Sequence, residues 1–222
     1  KDPTGKFNLA DDIREIIATY VTDTPWLDPK IAVTMLAIAL RPAVPVPTSV
    51  ASYFVGAPQK GKSWSARHCM SFWQRKPGVW KDTLPGSAND TFATTESAVA
   101  RTPIWVVDDL APSADRRTAE MQEAKIGDLI RAVHNKLGKR RMNRDMTERG
   151  VPTPMALTII TAENQSTVQS IRERVVTLEF RGLRMEQMMQ ADMLANKSTA
   201  ASRITAATIR MFINDGEEQG WQ

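Results

Sequence analysis

The amino-acid sequence predicts an α/β fold, a three-layer sandwich in which helices cover both faces of a central parallel sheet. Three observations favour it. Apolar, β-branched runs alternate with helical patterns through residues 48–181, as in sheets whose parallel strands are joined by crossover helices. The first of these runs leads into a GxxxxGKS loop at residues 56–63. A second run ends in two adjacent acids, Asp108 and Asp109.

Composition restricts the class of protein further. A chain of 222 residues is long enough for one sizeable domain with a small appended lobe. Its single cysteine cannot form an internal disulfide, which is typical of a reduced, intracellular protein. The longest nearly apolar run, residues 31–40, is too short for a membrane helix. We therefore expect a soluble, cytoplasmic protein, and its net charge of +4 weakly favours a polyanionic partner.

Two helices are predicted before the nucleotide-binding region. Apolar residues recur at helical spacing from Leu9 to Tyr20 after a capping Asn8, and Asp28 followed by Pro29 opens a second helix through Leu40. Three prolines in residues 41–47 predict an extended connector. We divide the chain into a helical preface with its connector (1–47), a P-loop core (48–181) and a C-terminal helical lid or packing arm (182–222).

The GxxxxGKS loop is the most specific chemical signature and predicts a nucleoside triphosphate site. Two glycines with four residues between them let backbone N–H groups curl around a phosphate, and the following helix directs its positive N-terminus at the same charge. Lys62 is expected to reach the outer phosphates, and the Ser63 hydroxyl is expected to ligate Mg²⁺. The predicted nucleotide-binding residues are Gly56, Ala57, Pro58, Gln59, Lys60, Gly61, Lys62, Ser63 and Trp64.

The paired acids follow a buried-strand pattern at residues 102–107. We assign Asp108 to the metal and Asp109 to the base that deprotonates the attacking water. Lys62 and Asp108 are 46 positions apart, which leaves room for a further strand between the two motifs. Val79-Trp80 is the candidate for that strand, and residues 88–100 are the candidate for the helix that follows it.

A third apolar run, residues 155–161, ends in Ala162-Glu163-Asn164. If this strand lies between the P-loop strand and the acid strand, Asn164 emerges where it can position the lytic water. The alternative is an asparagine that only turns the chain.

Two arginines precede the last predicted strand. In ring-forming ATPases an arginine from one subunit stabilises the charge on nucleotide bound to the next, because the planar guanidinium bonds two phosphate oxygens at once. We assign this role to Arg174 and keep Arg172 as the second candidate. A surface salt bridge through Glu173 or Glu179 is the alternative.

A basic cluster follows an apolar helical stripe that runs from Ile126 to Leu137 and ends at Gly138. Positive charge in this segment is suited to a phosphate backbone, which it contacts without reading sequence. An ordinary solvated loop is the alternative. The predicted DNA-binding residues are Lys136, Lys139, Arg140, Arg141 and Arg144.

Taken in order, these motifs resemble those of AAA+ ATPases, members of the additional-strand (ASCE) branch of P-loop proteins. The resemblance is carried by the P-loop, WVVDD, TIITAEN and SIRERVVTLEF. Their compact order is similar to superfamily 3 helicases of viruses and plasmids, which insert a hairpin into the ring's pore at the position of the basic cluster. VDDLAPSAD, RAVHNKLGKRRMNRD and the run from TAEN to QSIRERVV resemble ATP-binding domains of actinobacterial plasmids, phages and integrated elements. The resemblance covers most of residues 30–180 and leaves open whether Glu163 or Asn164 is the contacting residue.

The resemblance implies an ATP- and Mg²⁺-dependent hydrolase that assembles into a homo-oligomeric ring, expected to be a hexamer, and moves single-stranded DNA during replication of a mobile element. The domains it resembles often sit behind a primase-polymerase module, so such a domain is expected in the same longer chain. Two other functions stay open. One is a nucleotide-gated scaffold that binds or loads DNA, and the other is an ATPase that acts on protein in defence or signalling.

Overall fold

The computed structural model describes residues 8–23, 26–113, 115–138, 141–142, 148–149 and 153–219, with the backbone alone at 141–142, 148–149, 185, 187 and 217–219. The α-helices are α1 Leu9–Ile17, α2 Pro29–Leu40, α3 Lys62–Ser71, α4 Phe92–Val99, α5 Arg116–Asn135, α6 Gln169–Arg172, α7 Met185–Lys197 and α8 Ala200–Gln219. The strands are β1 Ala51–Val55, β2 Ile104–Leu110, β3 Arg141–Met142, β4 Glu148–Arg149, β5 Leu157–Ala162 and β6 Val175–Glu179. Within these described ranges, no helix is long and apolar enough to cross a bilayer.

The chain forms two compact units. We call residues 47–66 and 84–181 the sheet unit, and the described parts of 1–46, 67–83 and 182–222 the helical unit. The three-part division at residues 47 and 181 stays a prediction.

A four-stranded parallel sheet in the order β2-β5-β1-β6 forms the centre of the sheet unit. Every residue of β1 and β5 is buried, which explains why these strands have continuous apolar, β-branched sequences instead of alternating ones. Apolar residues of α5 pack with these strands in a single core cluster. The α/β fold with a central parallel sheet is confirmed, and β5 does lie between β1 and β2.

The apolar stripe of α5 is buried as predicted as far as Val133, but the helix ends earlier than expected. Asn135 is its last residue, and Lys136 takes the left-handed conformation, with φ of 54°. Since this conformation turns the chain away from the helix axis, Leu137 is 57% exposed. The predicted end at Gly138 is therefore wrong.

The additional strand predicted at Val79-Trp80 is also wrong, since these residues form a turn. The edge of the sheet is extended elsewhere, by a parallel bridge between Ser87 and Asp108. The N–H of Ala88 donates to the Asp108 carbonyl (2.7 Å), so Ala88 cannot begin the next helix. That helix, α4, begins at Phe92 after the capping residue Thr91.

In the helical unit, the predicted caps are confirmed. The Asn8 side chain accepts from the N–H of Ala10 (3.0 Å), and Asp28 accepts from the N–H of Lys30 (2.9 Å). The prolines do not give a wholly extended connector, because Arg41–Ala43 forms a short 3-10 helix. The predicted C-terminal helical segment consists of α7 and α8.

The predicted apolar stripe of the first helix is buried only in part. Ile16 and Tyr20 are buried, whereas Leu9, Ile13 and Ile17 are 41 to 44% exposed. The buried Asp12 on the same helix forms an ion pair with Arg203 of α8, whose Nε donates to Asp12 Oδ2 at 2.7 Å. This pair joins the first helix of the chain to the last.

A buried histidine lies in the core of the helical unit. The ring of His68 lies with its centroid 4.8 Å from that of Trp26, and its Nδ1 shares a hydrogen bond with the Tyr20 hydroxyl (3.0 Å). Burial, assisted by the charge of Arg67, lowers the pKa of His68 to about 3. The half-exposed Asp192 carboxylate, 3.8 Å from Nε2, favours the protonated ring, but desolvation outweighs it. His68 is therefore a neutral packing residue.

This burial makes the stability of the protein depend on pH. His68 binds a proton near pH 6.5 when unfolded but only near pH 3 when folded, so acid favours the unfolded chain. Between pH 7.5 and 5.5 we expect the free energy of unfolding to fall by about 1.4 kcal/mol from this residue. Urea denaturation at the two pH values measures the change.

His68→Gln should remove this part of the pH dependence. The matched control, His134→Gln, changes the other histidine and should retain it. Equal pH dependence in wild type and His68→Gln would contradict the assignment.

Candidate functional site

The P-loop connects β1 to α3 at the carboxyl edge of the sheet. A Cβ at position 56 would lie 2.4 Å from the Phe180 carbonyl oxygen, so only glycine fits there. Gly61 has φ of 86°, a left-handed conformation that glycine adopts without strain. These two positions explain the glycines of the motif. Trp64 follows on the first turn of α3 and is half-buried.

The ammonium group of Lys62 lies against the loop itself. Its Nζ donates to the carbonyl oxygens of Gly56 (2.6 Å) and Ala57 (2.9 Å). The first turn of α3 begins at this lysine, so its ammonium group lies near the positive end of the helix dipole. This is the electrostatic environment that binds phosphate groups.

Ser63 and Asp108 are in direct contact although 45 residues separate them. The Ser63 hydroxyl donates to Asp108 Oδ1 at 2.7 Å. A second hydroxyl, that of Thr161, donates to the same oxygen at 2.5 Å. The Asp108 backbone is held too, because its N–H donates to the Gly86 carbonyl (3.1 Å).

These groups fit a magnesium ion that is shared with a nucleotide. Hydroxyl and carboxylate oxygens are ligands of Mg²⁺, which is usually bound through one or two carboxylates plus substrate phosphates. Nowhere in the described ranges do three or more His, Cys, Asp or Glu side chains form a metal cluster. The predicted pair, Ser63 and Asp108, would leave the other coordination positions of Mg²⁺ to phosphate oxygens and water.

Asp109, unlike Asp108, has a left-handed backbone conformation. Its φ is 64°, and its N–H donates to the Thr161 hydroxyl oxygen at 2.9 Å. Its side chain is exposed, unlike that of its half-buried neighbour Asp108. The two predicted acids are thus distinguished by environment, one held by two hydroxyls and the other open to solvent.

The polar end of β5 emerges between the P-loop strand and the acid strand, as the strand order requires. The N–H of Glu163 donates to the Leu110 carbonyl (3.2 Å), and the exposed Asn164 side chain lines a pocket of about 170 Å³. Of the two residues left open, Asn164 is the one that lines this pocket. The pocket is formed by Tyr53, Leu110, Ala111, Pro112, Ser113, Ala119, Gln122, Glu123, Asn164, Gln165, Ser166 and Thr167.

Glu123 on α5 holds the loop after Asn164 in place. Its Oε1 accepts hydrogen bonds from the Ser166 hydroxyl, the Thr167 N–H and the Thr167 hydroxyl, each at 2.9 Å. Burial disfavours the charged carboxylate, but these hydrogen bonds outweigh it and lower the pKa of Glu123. Burial, and then the charge of Glu123, raises the pKa of Tyr53 on β1.

The two candidate arginines lie at the end of α6. The guanidinium of Arg174 is half-buried and donates through Nη1 to the Ser170 carbonyl, within its own segment. Arg172 is exposed. Among the described residues, no hydrogen bond or ion pair joins either arginine to the P-loop.

The predicted DNA-binding residues are described only in part. Nζ of Lys136 donates to the carbonyl oxygens of Thr48 and Pro154, the latter at 3.3 Å. Arg141 lies in β3, which pairs antiparallel with β4, and there it lies opposite Arg149. Lys139, Arg140 and Arg144 lie outside the described residues.

Thr161 and Glu123 are the residues that the sequence analysis missed. Thr161 stands inside an apolar run and reads as an ordinary β-branched strand residue. Glu123 stands on the polar side of a helical pattern. Thr161 lies within TIITAEN, but that run gives its hydroxyl no role, and Glu123 belongs to no local motif.

The chain is similar to several solved structures, although no protein-family model and no curated protein matches it. The match to the C-terminal region of NrS-1, in its apo A form, covers 91% of this chain and 48% of that region. The sequence identity is 11% and the TM-score is 0.55. The match to an inhibitor-bound JCV helicase covers 99% of this chain and 63% of the helicase chain, at 14% identity and a TM-score of 0.49. The match to the SCCmec type IV Cch active helicase covers 93% of this chain and 38% of the helicase chain, at 14% identity and a TM-score of 0.47.

The likeness to the NrS-1 region shows the fold. The chain spans about half of that region, and at this identity function has to be argued from the chemistry of the site.

Two substitutions test the division of roles in the site. Lys62→Ala should abolish nucleotide binding, because it removes the charge beside the phosphate loop. Asp109→Asn should bind nucleotide as wild type does and lower turnover by about 100-fold or more, since asparagine tolerates the left-handed backbone but cannot accept a proton. Binding of a fluorescent ATP analogue and steady-state phosphate release measure the two effects.

The matched control is Lys30→Ala, which removes an exposed lysine of the helical unit and should change neither quantity. Loss of nucleotide binding in Asp109→Asn would show that the two roles are not separate.

Proposed function

We propose that this chain is the ATPase domain of a ring-forming motor that moves along single-stranded DNA. The observation that carries the ATPase part is the direct contact between the Ser63 hydroxyl and Asp108, 2.7 Å apart. A P-loop serine beside an acid from a separate strand is the arrangement that holds Mg²⁺ next to a triphosphate in P-loop NTPases. Lys62 lies in the same loop, which supports the assignment.

Each residue of the site has a role in this proposal. Lys62 exchanges the carbonyls of Gly56 and Ala57 for the outer phosphates of ATP. Bound Mg²⁺ supplies charge neutralisation on the phosphates, and Ser63 and Asp108 would hold it. Asp109 accepts the proton of the attacking water, and Asn164 orients that water. The open carboxylate of Asp109, in contrast to the doubly hydrogen-bonded Asp108, supports this division.

Ring assembly is proposed because an arginine is needed to stabilise the charge on the transferred phosphate. Arg174 donates within its own segment, whereas Arg172 is exposed and so available to a neighbouring subunit. We therefore propose Arg172 as the residue that completes the neighbour's site, with Arg174 as the second candidate. A homo-hexamer is the assembly we propose.

DNA binding is proposed for the basic segment. The antiparallel strands β3 and β4 place Arg141 opposite Arg149, and Lys139, Arg140 and Arg144 add positive charge to the same stretch of sequence. Charge of this kind binds a phosphate backbone by releasing counterions, so the affinity falls with salt. Because Lys136 already contacts two carbonyl oxygens, we propose that it positions the segment.

We further propose that the motor acts in the replication of a mobile genetic element of actinobacterial type, in the cytoplasm. A primase-polymerase domain in the same longer chain belongs to this proposal. The support is the sequence resemblance of residues 30–180.

The proposed activity is tested by steady-state ATP hydrolysis with and without single-stranded DNA, across a salt series, alongside sizing in ATP. Stimulation by DNA that fades with salt, together with a ring-sized species, is the expected result. Lys62→Ala is the inactive control. Turnover that ignores DNA would overturn the DNA role and favour an ATPase that acts on protein, whereas ATP-dependent assembly without turnover would favour a scaffold.

The shared site is tested by mixing two inactive variants, Lys62→Ala and Arg172→Ala. Each interface that pairs an intact P-loop with an intact Arg172 should regain activity, which at random mixing is about one quarter of the interfaces. Rescue by Arg174→Ala instead of Arg172→Ala would reverse the assignment of the two arginines. No rescue with either would contradict a site shared between subunits.

A further inference from the structure

The two acids lie in a bulge of β2. In the pairing of β2 with β5, Val107 lies opposite Ile160 and Leu110 lies opposite Ala162. Three steps along β2 thus match two steps along β5, so Asp108 and Asp109 together lie opposite Thr161. A bulge of this kind re-aims side chains and is frequent beside active sites.

The bulge requires Asp109 to adopt a left-handed backbone, with φ of 64°. A residue other than glycine is held there only where its surroundings compensate for the strain. Since its N–H has left the regular ladder of the sheet, it also needs a new acceptor. The Thr161 hydroxyl oxygen is that acceptor, at 2.9 Å.

One hydroxyl therefore serves both acids. The Thr161 oxygen accepts from the Asp109 N–H and donates its hydrogen to Asp108 Oδ1 at 2.5 Å. A hydroxyl has one hydrogen to donate and lone pairs to accept with, so both bonds form at once. Thr161 is 1% exposed, and its β-branched side chain has few rotamers, so neither bond has much freedom to rearrange.

We propose that Thr161 is a positioning residue, whose hydroxyl sets the bulge so that Asp108 faces the metal and Asp109 faces the attacking water. The inference rests on the proposed ATPase function and deepens it. Thr161 itself contacts neither nucleotide nor metal in this scheme. It acts through the two carboxylates.

Two substitutions distinguish the role of the Thr161 hydroxyl from the role of its side-chain volume. Thr161→Val keeps the shape and removes both hydrogen bonds, whereas Thr161→Ser keeps the hydroxyl. Thr158→Val is the matched control, because Thr158 is equally buried on the same strand and its hydroxyl makes only a long contact with the Ala156 carbonyl (3.5 Å).

The experiment measures kcat, KM and the Mg²⁺ concentration for half-maximal ATP hydrolysis, with ATP binding in EDTA and the melting temperature measured on the same samples. For Thr161→Val we expect kcat to fall by about 10- to 100-fold and the Mg²⁺ requirement to rise. Binding of metal-free ATP should stay within about twofold of wild type, because Lys62 and the loop are untouched. Thr161→Ser should recover most of kcat, and Thr158→Val should match wild type.

Each other outcome has a distinct meaning. Wild-type kcat and Mg²⁺ dependence in Thr161→Val would overturn the positioning role while leaving the ATPase function intact. Similar losses in Thr161→Ser and Thr158→Val, together with lower melting temperatures, would show that the strand only needs its packing. Wild type that binds no ATP or does not hydrolyse it would overturn the proposed function, and this inference with it.

Discussion

The site depends on the hydrogen bonds that converge on Asp108. Its carboxylate oxygen accepts from Ser63, at the start of the helix after β1, and from Thr161, near the end of β5. Its backbone also exchanges hydrogen bonds with Gly86 and Ala88 at the edge of the sheet. A half-buried carboxylate is stable only when such donors replace the water it has lost. Three separate segments are therefore held together around one negative charge.

The order of the strands makes this convergence possible. Because β5 lies between β1 and β2, its carboxyl end delivers Thr161 and Asn164 between the phosphate loop and the acids. Parallel strands place their carboxyl ends at one edge, which is where such sheets bind ligands. Glu123 then holds the loop after Asn164 through three hydrogen bonds, so α5 and the sheet share the task of shaping the pocket.

The elements that could be predicted from the sequence are those that local interactions determine. Buried parallel strands need continuous apolar runs, so β1, β2 and β5 could be located, and short-range side-chain hydrogen bonds at Asn8 and Asp28 mark helix starts. Elements whose limits depend on a distant residue could not be predicted from the sequence. Ala88 is kept out of a helix by the Asp108 carbonyl, and α5 ends at a left-handed Lys136 whose ammonium group contacts Thr48, 88 residues away.

The sequence by itself determined the phosphate loop, since the eight residues of GxxxxGKS are contiguous and the left-handed backbone of Gly61 is a local reason for glycine. It also located the two acids near the carboxyl end of β2. Only the tertiary structure decided what those acids do, because the bulge, the left-handed Asp109 and the Thr161 hydroxyl are set by pairing between residues more than 50 positions apart. It likewise decided that Arg174 turns toward Ser170 while Arg172 stays exposed. These contacts could not be predicted from the order of residues, because they form only when the strands are paired in register.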